Sequence, residues 1–160
     1  MKSLVVFYSR TGRTRKIAER IASRLQSEKE EIIDRKKRRG FVAWFVAGAD
    51  AVRKKLTEIE GIKKDPSSFD VVILGTPVWG DSMVPALRTY ITQFRDKIKR
   101  VAFFYCSGGT EGSQKIFPDM EELTGRKPVA TVHFGVSEIG KKDFPDKIKK
   151  FSDDVRKTVK

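Results

Sequence analysis

One cysteine and one histidine in 160 residues exclude an internal disulfide framework and leave no cluster of soft metal ligands. No apolar stretch approaches the roughly twenty residues that a bilayer-spanning helix needs. The N-terminus carries one lysine and then a five-residue apolar run, too short for the core of a signal peptide. These absences set the expectation of a cytoplasmic protein with no membrane contact. Acidic residues are few beside basic ones, 21 against 34, for a net charge of +13. Such an excess attracts anions, acidic proteins or nucleic acid. A lysine-rich solvated surface, as in heat-adapted proteins, accounts for most of it. What is present fits a globular chain: 39% hydrophobic residues, 10% aromatic, and enough length for one domain spanning 1–160.

Apolar runs alternate with helical patterns. Leu4–Tyr8, Val71–Leu74, Val101–Cys106 and Val129–Phe134 read as buried strands, and Glu31–Asp34 as a weaker one. Between them, Ile17, Ala18, Ile21, Ala22 and Leu25 recur at helix spacing, as do Val84, Leu87, Ile91 and Phe94 after them. Ile116, Phe117, Met120 and Leu123 mark a helix stopped at Gly125. Phe144, Ile148, Phe151, Val155 and Val159 stripe a closing one. A helix over 41–59 would bury Phe45, Ala49, Val52, Leu56 and Ile59, with Phe41, Trp44 and Gly48 on a second, partly apolar face. That second face suits core packing first and a homodimer or partner surface second. Alternation of this kind predicts an α/β fold: a doubly wound, five-stranded parallel sheet of order 2-1-3-4-5 with helices on both faces. Its ligand crevice would lie where the loops after the first and third strands diverge.

Three loops would meet at that edge. Ser9-Arg10-Thr11-Gly12-Arg13-Thr14 surrounds a glycine with hydroxyls and opens a helix, whose free N–H groups can hold a phosphate. It carries neither the Gly-Lys-Ser/Thr of a nucleotide P-loop nor a Gly-x-Gly-x-x-Gly fingerprint. An ordinary N-capped turn is the plain alternative. Thr76-Pro77-Val78-Trp79-Gly80-Asp81 offers an aromatic face, and Ser107-Gly108-Gly109-Thr110-Glu111-Gly112 a pliable backbone. A phosphate cradle beside an aromatic platform suits a flat phosphorylated cofactor, and FMN fits that description.

With those residues in view, the chain resembles the flavodoxin family. Ser9 to Thr14 is similar to that family's Ser/Thr-x-Thr-Gly-x-Thr phosphate loop, with Arg13 where asparagine is common. Thr76 to Gly80 is similar to the loop whose aromatic residue packs on the isoalloxazine ring. Ser107-Gly108-Gly109 is similar to the third loop, which lines the ring's other side. The resemblance implies non-covalent FMN and a protein that carries one or two electrons between redox partners, with no catalytic side chain. It also implies a peptide at Gly80-Asp81 whose carbonyl can turn toward N5 of the reduced flavin; a type II turn is the plainer reading there. An NAD(P)H-dependent quinone or small-molecule reductase on the same fold is the alternative, and an FMN-binding module without turnover a third.

The remaining candidates read as structural. Cys106 lacks both the arginine six positions on and the nearby histidine that a nucleophilic thiol would want, and His133 falls within a strand. A receiver domain is excluded, because the acidic positions it needs are occupied by Ser9-Arg10-Thr11 and Gly75-Thr76-Pro77. The run Arg35-Lys36-Lys37-Arg38-Arg39 could dock an acidic redox partner or bind a pyridine-nucleotide phosphate. It lacks the interleaved aromatics of a single-strand-binding surface, which disfavours nucleic acid. Together with Arg10 and Arg13, this cationic rim should raise the second reduction potential above that of acidic flavodoxins.

Overall fold

The four apolar runs become strands of one sheet, the first three buried and the last only partly covered. In the computed structural model, residues 1–36, 41–109, 111–142 and 144–158 are described, with residues 41–45 and 47 given by their backbone. The elements in order are β1 (Ser3–Phe7), α1 (Arg13–Leu25), β2 (Glu28–Glu31), α2 (Phe41–Val52), β3 (Val71–Trp79), β4 (Ser82–Met83), α3 (Pro85–Phe94), β5 (Val101–Ser107), α4 (Ile116–Thr124), β6 (Pro128–Gly135) and α5 (Phe144–Thr158). The parallel strands lie in the order β2-β1-β3-β5-β6, and β4 folds back antiparallel on the end of β3. With that short hairpin strand set aside, this is the 2-1-3-4-5 order expected from the alternation. None of the described helices is long and apolar enough to cross a membrane.

Successive strand residues face opposite sides, so each central strand feeds two cores. Leu4, Val6, Val72, Leu74, Phe103 and Tyr105 pack against α3 and α4 on one side. On the other, Val5, Phe7, Ile73, Ala102, Phe104 and Cys106 meet the stripes of α1 and α5. Strands buried on both faces need near-continuous apolar sequence, which is why these runs lack polar alternation.

Two elements differ from their expected positions. The second strand is Glu28–Glu31 rather than 31–34, with Leu4 opposite Glu28 and Phe7 opposite Glu31. It is an edge strand whose pairing is made by the backbone; Glu28 and Lys29 reach solvent, whereas Glu30 is buried and Glu31 half-buried. Ile32 is buried just beyond it, its N–H donating to Phe7 O at 2.8 Å, whereas Ile33 is exposed. The helix expected over 41–59 ends at Val52, and Lys54 takes a positive φ of 54°. Ala49, Val52 and Leu56, expected in its core stripe, are exposed; Asp50 and Ala51 are buried instead. Ile59 forms an isolated antiparallel bridge with Asp34. The side chains of Phe41, Trp44 and Phe45, like residues Lys37, Arg38, Arg39 and Val159, lie outside the described residues.

A charged cluster joins α3, α4 and the segment after α2. The buried Arg88 guanidinium meets Asp119 Oδ2 at 2.5 Å, and Lys54 Nζ donates to Asp119 Oδ1 at 2.9 Å. Burial pushes the Asp119 carboxyl up, but these two cations outweigh it and hold the group below its ordinary value of 3.8. A depressed folded-state pKa stabilises the protein above the ordinary value, and the contribution is lost as pH falls through the lower one. Removing one partner of a buried pair typically destabilises by about 3–5 kcal/mol. Lys54 is largely exposed, so Asp119→Ala is expected to lower unfolding free energy by about 2–3 kcal/mol at neutral pH. Urea unfolding at several pH values should show that difference shrinking as pH falls below 3.8.

Candidate functional site

Because β1, β3 and β5 run parallel side by side, the loops that follow them emerge at one edge. The first turns at Gly12, whose φ of 89° is a conformation that L side chains rarely adopt. Gly12 is the N-cap of α1 and has no side chain to cap with; Ser9 does that work, its Oγ accepting from the N–H groups of Gly12 (3.1 Å) and Arg15 (3.2 Å). The N–H groups of Arg13 and Thr14 stand in the first turn, where a helix supplies no acceptor. Thr11 and Arg13 are exposed and Thr14 is buried. The first turn contains no acidic residue but carries Arg13, Arg15 and Lys16. Arg15 is taken up by a two-pronged bond to Glu31, at 2.9 and 2.7 Å. Arg13 lies close enough to Cys106 to favour its thiolate. Hydroxyls, unpaired N–H groups and cations make a donor set suited to a phosphate dianion.

The second loop is a hairpin. After Pro77 pairs with Cys106, β3 leaves its neighbour, turns at Gly80-Asp81 and returns as β4, with Trp79 opposite Ser82. Both turn residues have positive φ, 55° and 60°, which is the type I′ pattern that the twist of a hairpin favours; a type II turn would have only one. A Cβ at Gly80 would meet Val52 Cγ2 at 2.5 Å and Gly48 O at 3.2 Å, so α2 packs directly on the turn. Asp81 reaches the other way. Its carboxylate pairs with Lys115 at 3.0 Å, and bonds from Ser113 and Lys115 hold it below the usual carboxylate range.

Trp79 stands half-buried, with Tyr8 packed edge-on against it at 5.5 Å and Arg10 over its ring at 5.9 Å. These contacts join the first loop to the second. Pro77 and Val78 are half-buried, whereas Thr76 is fully buried. The Thr76 hydroxyl donates to Pro77 O at 2.7 Å and accepts from Val84 N–H at 3.2 Å, tying β3 to the start of α3.

In the third loop, Ser107 Oγ donates to Gly109 O at 2.9 Å and curls the chain, leaving Gly108 and Gly109 exposed; Thr110 lies outside the described residues. Gly112 crosses close above two rings: a Cβ there would sit 2.4 Å from Tyr105 Oη and 3.2 Å from the His133 imidazole. Those rings stack at 5.4 Å, and Tyr105 Oη donates to Ser113 O at 3.1 Å. Tyr8, Ser113 and Lys115 thus join the edge, although sequence reading did not single them out. Tyr8 had a signal, as an aromatic residue at the end of an apolar strand. Ser113 and Lys115 had none.

Burial pushes the Cys106 thiol up to about 11, against a smaller opposing pull from Arg13. Its thiolate is therefore scarce at neutral pH. Iodoacetamide at about pH 8 is expected to label the native protein at least tenfold more slowly than the urea-unfolded chain. Equal rates, followed by mass spectrometry, would contradict this placement.

No protein-family model matches the chain. Solved structures do. A flavoprotein from Lactobacillus acidophilus in complex with FMN superposes with a TM-score of 0.72 at 26% identity, over 86% of this chain and 95% of that one. The two-electron reduced flavodoxin of Megasphaera elsdenii matches with a TM-score of 0.62 at 17% identity, over 97% and 98%. A WrbA-like flavodoxin from Agrobacterium tumefaciens matches with 0.63 at 14%, over 99% and 96%. The fold is flavodoxin-like, and the resemblance read from three loops extends over the whole chain.

Proposed function

We propose that the chain binds FMN non-covalently and carries electrons between redox partners. One observation carries the reading: the hydroxyl-rich turn at the start of α1 and the Trp79 hairpin are held together at a single sheet edge through Tyr8 and Arg10. Ser9, Thr11, Gly12, Arg13 and Thr14 would hold the phosphate, Trp79 would present a face to the isoalloxazine, and Ser107–Gly109 with Gly112 would line the opposite side. FMN, when bound, supplies the one- and two-electron chemistry. The chain's own task is to bind, orient and exclude water. Gly80 and Asp81 would place backbone N–H and C=O groups at the hairpin tip, beside the exposed Asp81–Lys115 pair. No side-chain nucleophile or acid–base pair is needed for that work.

The carrier and reductase readings separate in one anaerobic experiment. The FMN-loaded protein is mixed with NADPH, and the flavin absorbance is followed. A carrier keeps its yellow colour until a separate reductase is added. Rapid bleaching by NADPH alone would establish the reductase instead.

A further inference from the structure

The first loop and the opening turn of α1 carry three arginines, Arg10, Arg13 and Arg15. Arg15 is bound by Glu31, and Arg13 lies near the Cys106 thiol. Arg10 differs from both. It is half-buried, and among the described residues its guanidinium meets no carboxylate and no hydrogen-bond acceptor. It lies instead over the Trp79 ring, 5.9 Å from the centroid and within reach of a cation–π contact. Tyr8 packs edge-on against the same indole, which also leans on the core at the α3 side of the sheet. Arg10 thus belongs by its backbone to the hydroxyl-rich turn and by its side chain to the aromatic residue of the next loop. A guanidinium holds a phosphate oxygen through short, charge-assisted hydrogen bonds, whereas it gains little over a partly exposed ring. A dianion in the turn would therefore take Arg10 from Trp79, and a neutral ligand would not.

We propose that Arg10 makes stacking on Trp79 conditional on a phosphate. In the free chain the guanidinium covers a face of the indole, and a phosphorylated flavin draws it off that face into the loop. The proposal rests on the FMN reading above and adds a basis for selection of FMN over riboflavin, the same ring system without the phosphate. FMN gives Arg10 a stronger contact in exchange for the one its flat ring replaces. Riboflavin has to displace the guanidinium and offers it nothing in return.

The parent and Arg10→Ala are titrated in parallel with FMN and with riboflavin, and flavin fluorescence is followed. In the variant, FMN binding should weaken about fivefold or more through loss of charge-assisted bonds. Riboflavin binding should tighten about two- to fivefold, the worth of a cation on a partly exposed ring. The opposed signs are diagnostic. A phosphate contact alone would weaken FMN and leave riboflavin unchanged, and a structural role would weaken both; either result overturns the proposal. So would a parent that binds riboflavin as tightly as FMN. The free chain gives a second measure without any flavin. By NMR, the Arg10 side-chain methylene protons should lie upfield under the indole ring current and return to ordinary positions in Trp79→Ala. Ordinary positions in the parent would overturn the proposal whatever the flavins do. A parent that binds no FMN would instead refute the cofactor reading, so the two failures are told apart.

Discussion

Gly75→Ala is expected to be the most damaging single methyl that can be added to this protein. Gly75 lies on the central strand β3, between Phe7 of β1 and Phe104 of β5. The Phe104 ring lies over it, so that a Cβ would stand 2.0 Å from Cζ and 2.3 Å from Cε1. Phe104 is itself fully buried against the α1 and α5 side of the core, and the ring cannot withdraw without displacing its neighbours. Overpacking of a tight core typically costs about 1–3 kcal/mol and sometimes more. A contact this short belongs at the upper end, about 3 kcal/mol, against at most about 1 kcal/mol gained by replacing a strand glycine. For a chain of this length that lowers the thermal midpoint by roughly 6–12 °C. Adding Phe104→Leu should recover part of the loss, because the two sites share one space. An alanine variant as stable as the parent would show that the ring does not occupy the place of a side chain at 75.

Trp79→Ala should act on the cofactor rather than on the fold. The indole is half-exposed and its nearest ring contact is Tyr8, so its loss leaves little buried space. Stacking of an aromatic side chain on a flat heterocycle is worth about 1–3 kcal/mol, which corresponds to roughly 5- to 150-fold in affinity. FMN should therefore bind the variant weakly while its circular dichroism and thermal midpoint stay close to the parent's. Trp79→Phe should recover most of the affinity. Unchanged FMN binding in Trp79→Ala would remove the indole from the cofactor site.

The buried half of this fold was legible because it obeys simple periodicities. Strands with both faces covered must be apolar throughout, and α1 shows its buried stripe at Ile17, Ile21 and Leu25 without interruption. Elements with one side in solvent carry weaker signals. Glu28–Glu31 pairs through its backbone while its side chains obey no strand pattern, so the nearby Ile32-Ile33 drew attention to the wrong residues. The end of α2 was hidden for a related reason: Val52 and Leu56 continue a helical spacing, but the chain departs at Lys54 with a positive φ. At the loop edge, the glycines and hydroxyls announced themselves. What lay beyond sequence reading was their support by distant residues, such as Lys115 on Asp81, Tyr105 and His133 beneath Gly112, and Val52 against Gly80. Such contacts depend on how helices and loops stack in three dimensions, which local spacing does not encode.

If the three loops form an FMN site, the purified chain must bind FMN in a titration. Visible absorbance and flavin fluorescence are recorded together as FMN is added. Quenching should saturate at one FMN per chain, with a shifted absorption band and a dissociation constant in the micromolar range or below. Free-flavin fluorescence that rises in proportion to added FMN, with no spectral shift at micromolar concentrations, would contradict it.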